Sequence, residues 1–145
     1  MNKNFNFVQL SHMVKKLQAT NSTKEKEQII HYFAHSGPGA SFIRDALFWT
    51  YHPTWTYHLT SEQINKNRNL RNPDWPTDNI FELLTSLKDR KITGQDAIGA
   101  VNSFIEDGEL EPYRDLVLCI IDKDLKTKAG DKIINKVLPN LIPEF

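Results

Sequence analysis

The chain has 145 residues, 39% of them hydrophobic and 25% charged, with 18 basic side chains matched by 18 acidic ones. That length supports a hydrophobic core without metal or disulfide staples, and the composition excludes an intrinsically disordered chain. A formal net charge of zero excludes a uniformly basic coat for nucleic acid, while a local basic patch remains compatible with it.

No apolar run approaches the length of a membrane span, and the opening Met1-Asn-Lys-Asn-Phe-Asn-Phe7 lacks a signal-peptide core. The cytoplasm is the expected compartment. Cys119 is the one cysteine, so no intrachain disulfide can form. Its place in Asp115-Leu-Val-Leu-Cys-Ile-Ile121 reads as a buried structural thiol rather than a reactive one.

In chain order, Phe7, Leu10, Met13, Val14 and Leu17 recur at helical spacing and predict an amphipathic first helix. Ser22 and Glu25 are spaced as a capping box for a second helix through Ile29, Ile30 and Phe33. His35-Ser-Gly-Pro-Gly39 breaks that helix. A third runs from Ser41 to Tyr51 with a wide apolar face, and its aromatic tail continues past Pro53 into Trp55 and Tyr57.

Residues 61–77 read differently. Ser61-Glu-Gln-Ile64 suits a brief helical turn, and Asn65 to Pro73 is polar, as expected of a mobile surface loop whose Lys66, Arg68 and Arg71 are either solvated or available to an anion. Asp74-Trp-Pro-Thr-Asp78 launches a fourth helix through Ile80, Phe81, Leu83, Leu84 and Leu87. Arg90 to Gly94 connects to a fifth, with Thr93 as N-cap, Asp96 at the reciprocal position and Gly108 as C-cap. Glu111-Pro112 starts a sixth helix that runs to Ile121. A last short helix spans Gly130 to Leu138 and stops at Pro139. No segment alternates as a strand does. The expected fold is all-α, a single compact multi-helix domain over residues 1–145.

Chemistry for catalysis is not apparent. His31 and His35 share a helix face at i, i+4, a spacing that suits a metal, but no Glu in the zincin pattern and no third ligand accompany them. A solvated helix end explains them better, and no metal site is assigned. There is no phosphate-binding P-loop, and Gly37-Pro-Gly39 follows no strand. Acidic pairs such as Glu106-Asp107 sit beside lysines as solvated ion pairs do. Trp49, Tyr51, Trp55 and Tyr57 suit either base stacking or, better, core and loop anchoring.

The basic segments carry more. Lys123, Lys126, Lys128, Lys132 and Lys136 fall within one loop and one helix, interrupted by Asp122, Asp124 and Asp131. Free N–H groups at a helix start near Gly130, with lysines alongside, would give a phosphate oxygen charge-assisted hydrogen bonds. Lys91, Thr93 and Gly94 repeat the arrangement. Two such sites on one face would grip two backbone positions, although a lysine-rich loop is more often simply solvated.

Ser22-Thr-Lys-Glu-Lys-Glu-Gln-Ile-Ile30, Arg90-Lys-Ile-Thr-Gly94, Phe104-Ile-Glu-Asp-Gly108, Asp124-Leu125, Ile134-Asn-Lys-Val137 and Leu141-Ile-Pro-Glu144 resemble, in order, the N-terminal DNA-binding domain of ATP-dependent DNA ligases of the T-even bacteriophage type. The resemblance spans nearly the whole chain and is poorest over residues 52–77. It implies an all-helical domain that holds nicked duplex DNA through its backbone and minor groove, in the cytoplasm of an infected bacterium. It also implies that ATP, Mg²⁺ and the adenylated lysine of a Lys-x-Asp-Gly motif belong to a separate nucleotidyltransferase domain. Here the one Asp-Gly is Asp107-Gly108, with Ile105 where that lysine would stand, so no catalytic residue and no cofactor is assigned to this chain. Residues 139–145 correspond to the start of the interdomain linker.

The chain departs from the family at one turn. Where the family usually places a glycine, Thr127-Lys-Ala-Gly130 has Lys128, with a glycine two residues later. Either the lysine charge replaces a backbone approach to phosphate or the site is degraded. The expected DNA-binding residues are Lys91, Thr93 and Gly94 at one phosphate site and Lys126, Lys128, Gly130, Lys132 and Lys136 at the other. The alternative is a protein-interaction module that docks on a replication sliding clamp or acts as a phage decoy. The neutral charge and the aromatic stretch from Trp49 to Tyr57 speak for it.

Overall fold

The computed structural model describes residues 4–144, so Met1 to Lys3 of the opening segment and Phe145 lie outside the described residues. Among the described residues all regular structure is helical: α1 (Phe5–Gln18), α2 (Thr23–His31), a π turn (Tyr32–Ser36), α3 (Ala40–Tyr51), α4 (Ser61–Lys66), α5 (Ile80–Lys88), α6 (Gly94–Asp107), a 3₁₀ turn (Glu111–Tyr113), α7 (Arg114–Asp122) and α8 (Asp131–Val137). These elements fall into two compact units. One combines Met1–Thr54 with Lys123–Phe145, and the other is Trp55–Asp122.

In the first unit, the apolar stripe of α1 is buried at Phe7, Leu10, Met13, Val14 and Leu17, the five positions whose spacing predicts the helix. Helix α2 packs on α1, on the π turn and on α8. Ser22 caps it by accepting the Glu25 N–H at 3.2 Å. The reciprocal half of the expected capping box is rerouted, because the Glu25 carboxylate takes the Thr20 hydroxyl and the Ser22 N–H goes to Thr20 Oγ1. The helix then widens before it ends within the expected break at His35 to Gly39: the Gly37 N–H closes a π-type bond on the Tyr32 carbonyl at 2.7 Å. Past α8, Asn135 pins the chain by accepting the Ile142 N–H at 2.8 Å and donating to the Ile142 carbonyl at 2.9 Å. Ile142 is buried, so the segment expected as the start of a linker is anchored there.

The second unit is built around α6, which is buried from Ala97 to Ile105. Residues 61–77 are more ordered in their bonding than their polarity suggests. Helix α4 has a complete capping box between Thr60 and Gln63 and buries Ile64. Beyond it, Asn102 of α6 donates to the Asn67 carbonyl at 2.9 Å, and Ser103 accepts the Asn72 N–H at 2.9 Å. Gly99 makes this close approach possible: a Cβ there would lie 2.7 Å from the Arg71 carbonyl carbon. Both arginines of the segment are taken up internally, Arg71 by Glu106 and Arg68 by Glu111 at 2.6 Å.

Helices α5 and α6 both end in a turn that a left-handed residue closes. At α6 the Leu110 N–H reaches the Ile105 carbonyl at 2.8 Å and the Glu109 N–H the Glu106 carbonyl at 3.0 Å, the pattern of a Schellman cap. The left-handed residue is Glu109, at φ 56°, while Gly108 keeps a helical φ of −81°. Gly108 is therefore needed for space rather than for conformation, since a Cβ would stand 2.9 Å from the Phe104 carbonyl oxygen.

Glu111 joins the polar network beneath these turns. Arg114, buried, donates to it through Nε at 2.6 Å and through Nη2 at 3.2 Å, and also reaches Asn102 Oδ1 at 3.1 Å. The Arg114 hydrogen bond holds the Glu111 carboxyl below its ordinary value of 4.5, with Arg68 adding to the effect. A carboxylate lowered by folding contributes stability that is present above that ordinary value and lost as pH falls through the folded one. Acid titration of unfolding should show this loss below pH 4.5, and Glu111→Gln should remove that part of the pH dependence. Gly99→Ala should destabilise the chain by about 1–3 kcal/mol in urea unfolding, because overpacking against Arg71 outweighs the gain in helix propensity.

Candidate nucleic-acid interface

The lysine-rich turn lies in the first unit. Leu125, Thr127 and Ala129 are buried, and Lys126 and Lys128 between them are exposed. This alternation follows from how the turn's peptide groups find partners. The Leu125 N–H donates to the Tyr51 hydroxyl at 3.1 Å, Gln18 Nε2 to the Lys126 carbonyl at 3.3 Å, and Lys26 Nζ to the Lys128 carbonyl at 3.4 Å. Within the turn, Asp124 Oδ1 accepts the Lys126 N–H at 2.8 Å and Thr127 Oγ1 the Ala129 N–H at 3.2 Å. Side chains of α1, α2 and α3 thus hold the backbone from inside and leave two ammonium groups outside.

Lys123 is not part of the exposed set. Its ammonium donates to the His52 carbonyl, and burial pushes its pKa below the usual lysine value. Lys126 and Lys128 take φ of 60° and 58°, the left-handed region that favours glycine. Gly130 has an ordinary φ of −93° with open space around its Cα. The position where the resemblance leads one to expect glycine therefore keeps a glycine-like backbone with a lysine on it, and the actual glycine answers no conformational demand.

Gly130 caps α8, a helix of 7 residues whose first turn carries Asp131. So short a helix adds little dipole, and any attraction for an anion here comes mainly from side-chain charge. Lys132 is exposed, whereas Lys136 is bound to Glu27 of α2 at 3.1 Å. Among the described residues, Lys126, Lys128 and Lys132 form no ion pair, although Asp124 and Asp131 lie beside them.

The other expected site lies in the second unit. Arg90 adopts φ 57° and closes the end of α5, the Lys91 N–H reaching the Ser86 carbonyl at 2.9 Å. Ile92 is buried and anchors the connector. Thr93 is the N-cap of α6, but its hydroxyl makes no capping bond, so the expected pairing with Asp96 does not form. Gly94 starts the helix at φ 57° with nothing within 4 Å of a built Cβ. Lys91, Thr93, Gly94 and Gln95 are exposed around this uncapped start of a 14-residue helix. Asp96 in its first turn opposes an incoming anion. The two groups of site residues thus belong to separate units, each built by its own local packing.

The remaining candidates resolve into structural roles. Tyr57 is 1% exposed, Tyr51 serves the lysine turn, and Lys88 lies 5.0 Å over the Trp55 ring. None of these three is a free stacking platform. The His31 and His35 rings lie against one another with centroids 4.6 Å apart, tilted by 42°. Among the described residues no group of three or more potential ligands could hold a metal ion. Cys119 is half-buried rather than buried. No described helix is long and apolar enough to cross a membrane.

Tyr51 has the loop-anchoring role expected of it, whereas Lys26 and Gln18, which also shape the turn, were not among the residues expected to matter. A signal existed for Lys26: it falls on the stripe of Ile30 and Phe33 at i, i+4 and i+7, where a lysine is out of place. The turn geometry makes a stability prediction. Lys128→Gly should raise the unfolding free energy by roughly 0.5–1 kcal/mol through relief of the left-handed φ, and Gly130→Ala should cost less than about 0.5 kcal/mol. Chemical denaturation of both variants checks this, and a destabilised Lys128→Gly would contradict the assigned backbone.

No family model and no curated protein matches the sequence. A solved, ligase-related chain named Pmar-Lig_PreS3 does match in structure, with a TM-score of 0.66 at 20% sequence identity over 91% of this chain. The match covers 31% of that chain, so the present sequence spans about a third of its length. The likeness is one of fold: this chain has the helical architecture of a segment of a ligase-related protein.

Proposed function

We propose that the chain is the DNA-binding domain of an ATP-dependent DNA ligase of the T-even phage type and grips the phosphate backbone of nicked duplex DNA. The observation that carries this reading is the pinned turn at residues 123–130, which presents Lys126 and Lys128, unpaired, on a backbone held from within. Lys132 adds a third cation, and Lys136 a weaker one because Glu27 already neutralises part of it. The uncapped start of α6, with Lys91, Thr93 and Gly94, is the second contact. Its free N–H groups suit a phosphate oxygen, as helix N-termini do. The fold likeness to a ligase-related chain supports the same reading.

Such contacts read phosphates and not base edges, so binding is weakly dependent on sequence. Ligation itself requires ATP, Mg²⁺ and an adenylated lysine, which this reading assigns to a separate nucleotidyltransferase domain. The chain's own contribution is to hold the nicked duplex. The case for a protein-docking module leaned on the aromatic stretch 49–57, and the burial of Tyr57 and the engagement of Tyr51 and Trp55 weaken it.

Affinity for a nicked duplex should fall steeply with salt, each phosphate-bound lysine adding roughly 0.9 to the log–log slope. Lys128→Glu with Lys132→Glu should abolish binding while the helical circular dichroism is unchanged. A flat salt response, or no binding at low salt, overturns the reading. Recovery of a nuclease-insensitive protein partner such as a sliding clamp, with no DNA affinity, would replace it by docking.

A further inference from the structure

Lys26 is a charged side chain where the fold calls for an apolar one. It is 5% exposed and shares its helix face with the buried Ile30 and Phe33. Burying an ammonium is costly unless its donors are used, and an aliphatic residue would fill the same space without that cost. Its Nζ donates to the Lys128 carbonyl, 3.4 Å away and 102 residues along the chain. On α1, Gln18 does the same for the Lys126 carbonyl. Both captured carbonyls belong to lysines in the left-handed region, which an L residue enters at an energetic cost. A donor fixed beneath the turn rewards the conformation that aims the carbonyl inward, and thereby the one that leaves the lysine side chain outside.

We propose that Lys26 is a positioning residue for phosphodiester recognition, its buried ammonium locking the Lys126–Lys128 turn so that the DNA backbone meets cations already in place. The proposal rests on the DNA-binding reading of that turn. A preformed turn spares the complex the ordering of a flexible segment, so the lock acts on affinity. Lys26 itself is too buried to neutralise a phosphate. Its removal therefore weakens binding without releasing fewer counterions, which separates it from Lys128.

The test compares the whole chain with Lys26→Met, Lys26→Arg, Lys128→Gln and the Lys26→Met/Lys128→Gln double variant. Salt titrations use a short nicked duplex, and hydrogen exchange of the Ala129 amide is followed in the absence of DNA. Lys26→Met should weaken binding about fivefold at an unchanged salt slope, whereas Lys128→Gln should lower that slope by about one. Lys26→Arg, which retains a buried cationic donor, should restore most of the affinity. In the double variant, the loss due to Lys26 should shrink, because no Lys128 charge is left to position. Ala129 exchange should quicken about tenfold in Lys26→Met while the Leu17 and Ile30 amides stay protected.

Additive losses, a slope change of about one in Lys26→Met, no recovery in Lys26→Arg or unaltered Ala129 exchange would each overturn the proposal. If Lys26→Met fails to fold, Lys26→Gln, which keeps a neutral amide donor, carries the same comparison. Absence of DNA binding by the unmodified chain would sink the functional reading. The exchange measurement would still decide whether Lys26 holds the turn.

Discussion

A chain that leaves a helix must find partners for peptide groups that no longer bond to one another, and buried groups that fail to do so are expensive. In this protein the segment between α7 and α8 meets that demand through side chains from three helices. Tyr51 takes an N–H, while Gln18 and Lys26 each take a carbonyl. Everything proposed about the lysine turn depends on this arrangement. With its backbone bonded inward, the turn can only present Lys126 and Lys128 outward, and the left-handed φ values are tolerated because the inward bonds offset their cost.

The second unit solves the same problem in another way. Residues 67–72 lie on α6, where Asn102 and Ser103 receive their backbone and Gly99 leaves room for it. Buried polar side chains thus substitute for the apolar anchors that the segment lacks. The Asn102–Arg114–Glu111–Arg68 chain of contacts continues the support outward to the 3₁₀ turn before α7. A network of this kind is stabilising only while each member is satisfied, which ties the segment's order to the charge state of Glu111.

Charge is distributed in a way the total conceals. The net charge is zero, yet Arg68, Arg71, Lys88 and Lys136 are spent on carboxylates and Lys123 on a carbonyl. Lys126, Lys128 and Lys132 fall within seven residues of sequence, at positions 126 to 132, and among the described residues form no ion pair, as is also true of the exposed Lys15, Lys16, Lys24, Arg90 and Lys91. Surface ion pairs contribute little to stability, but which cations they engage decides which remain available to an anion, and Asp124 and Asp131 offset part of the charge on the lysine turn.

Helical periodicity was enough to find α1, α3, α5, α6 and α7, because a buried stripe repeats every 3.6 residues wherever the rest of the protein lies. The cap at Ser22 and the all-α class were legible for the same reason: each depends on neighbours within a few positions. The anchoring of residues 61–72 was not legible, since polar residues there bond to Asn102 and Ser103, more than thirty positions away. Nor was the partner of the Lys128 backbone: the resemblance pointed to a glycine position there, but the ammonium that takes its carbonyl comes from Lys26, 102 positions away. The basic residues could be read from the sequence alone, but which of them face solvent was decided by tertiary structure. Side-chain identity is local, whereas exposure and pairing depend on what the folded chain brings alongside.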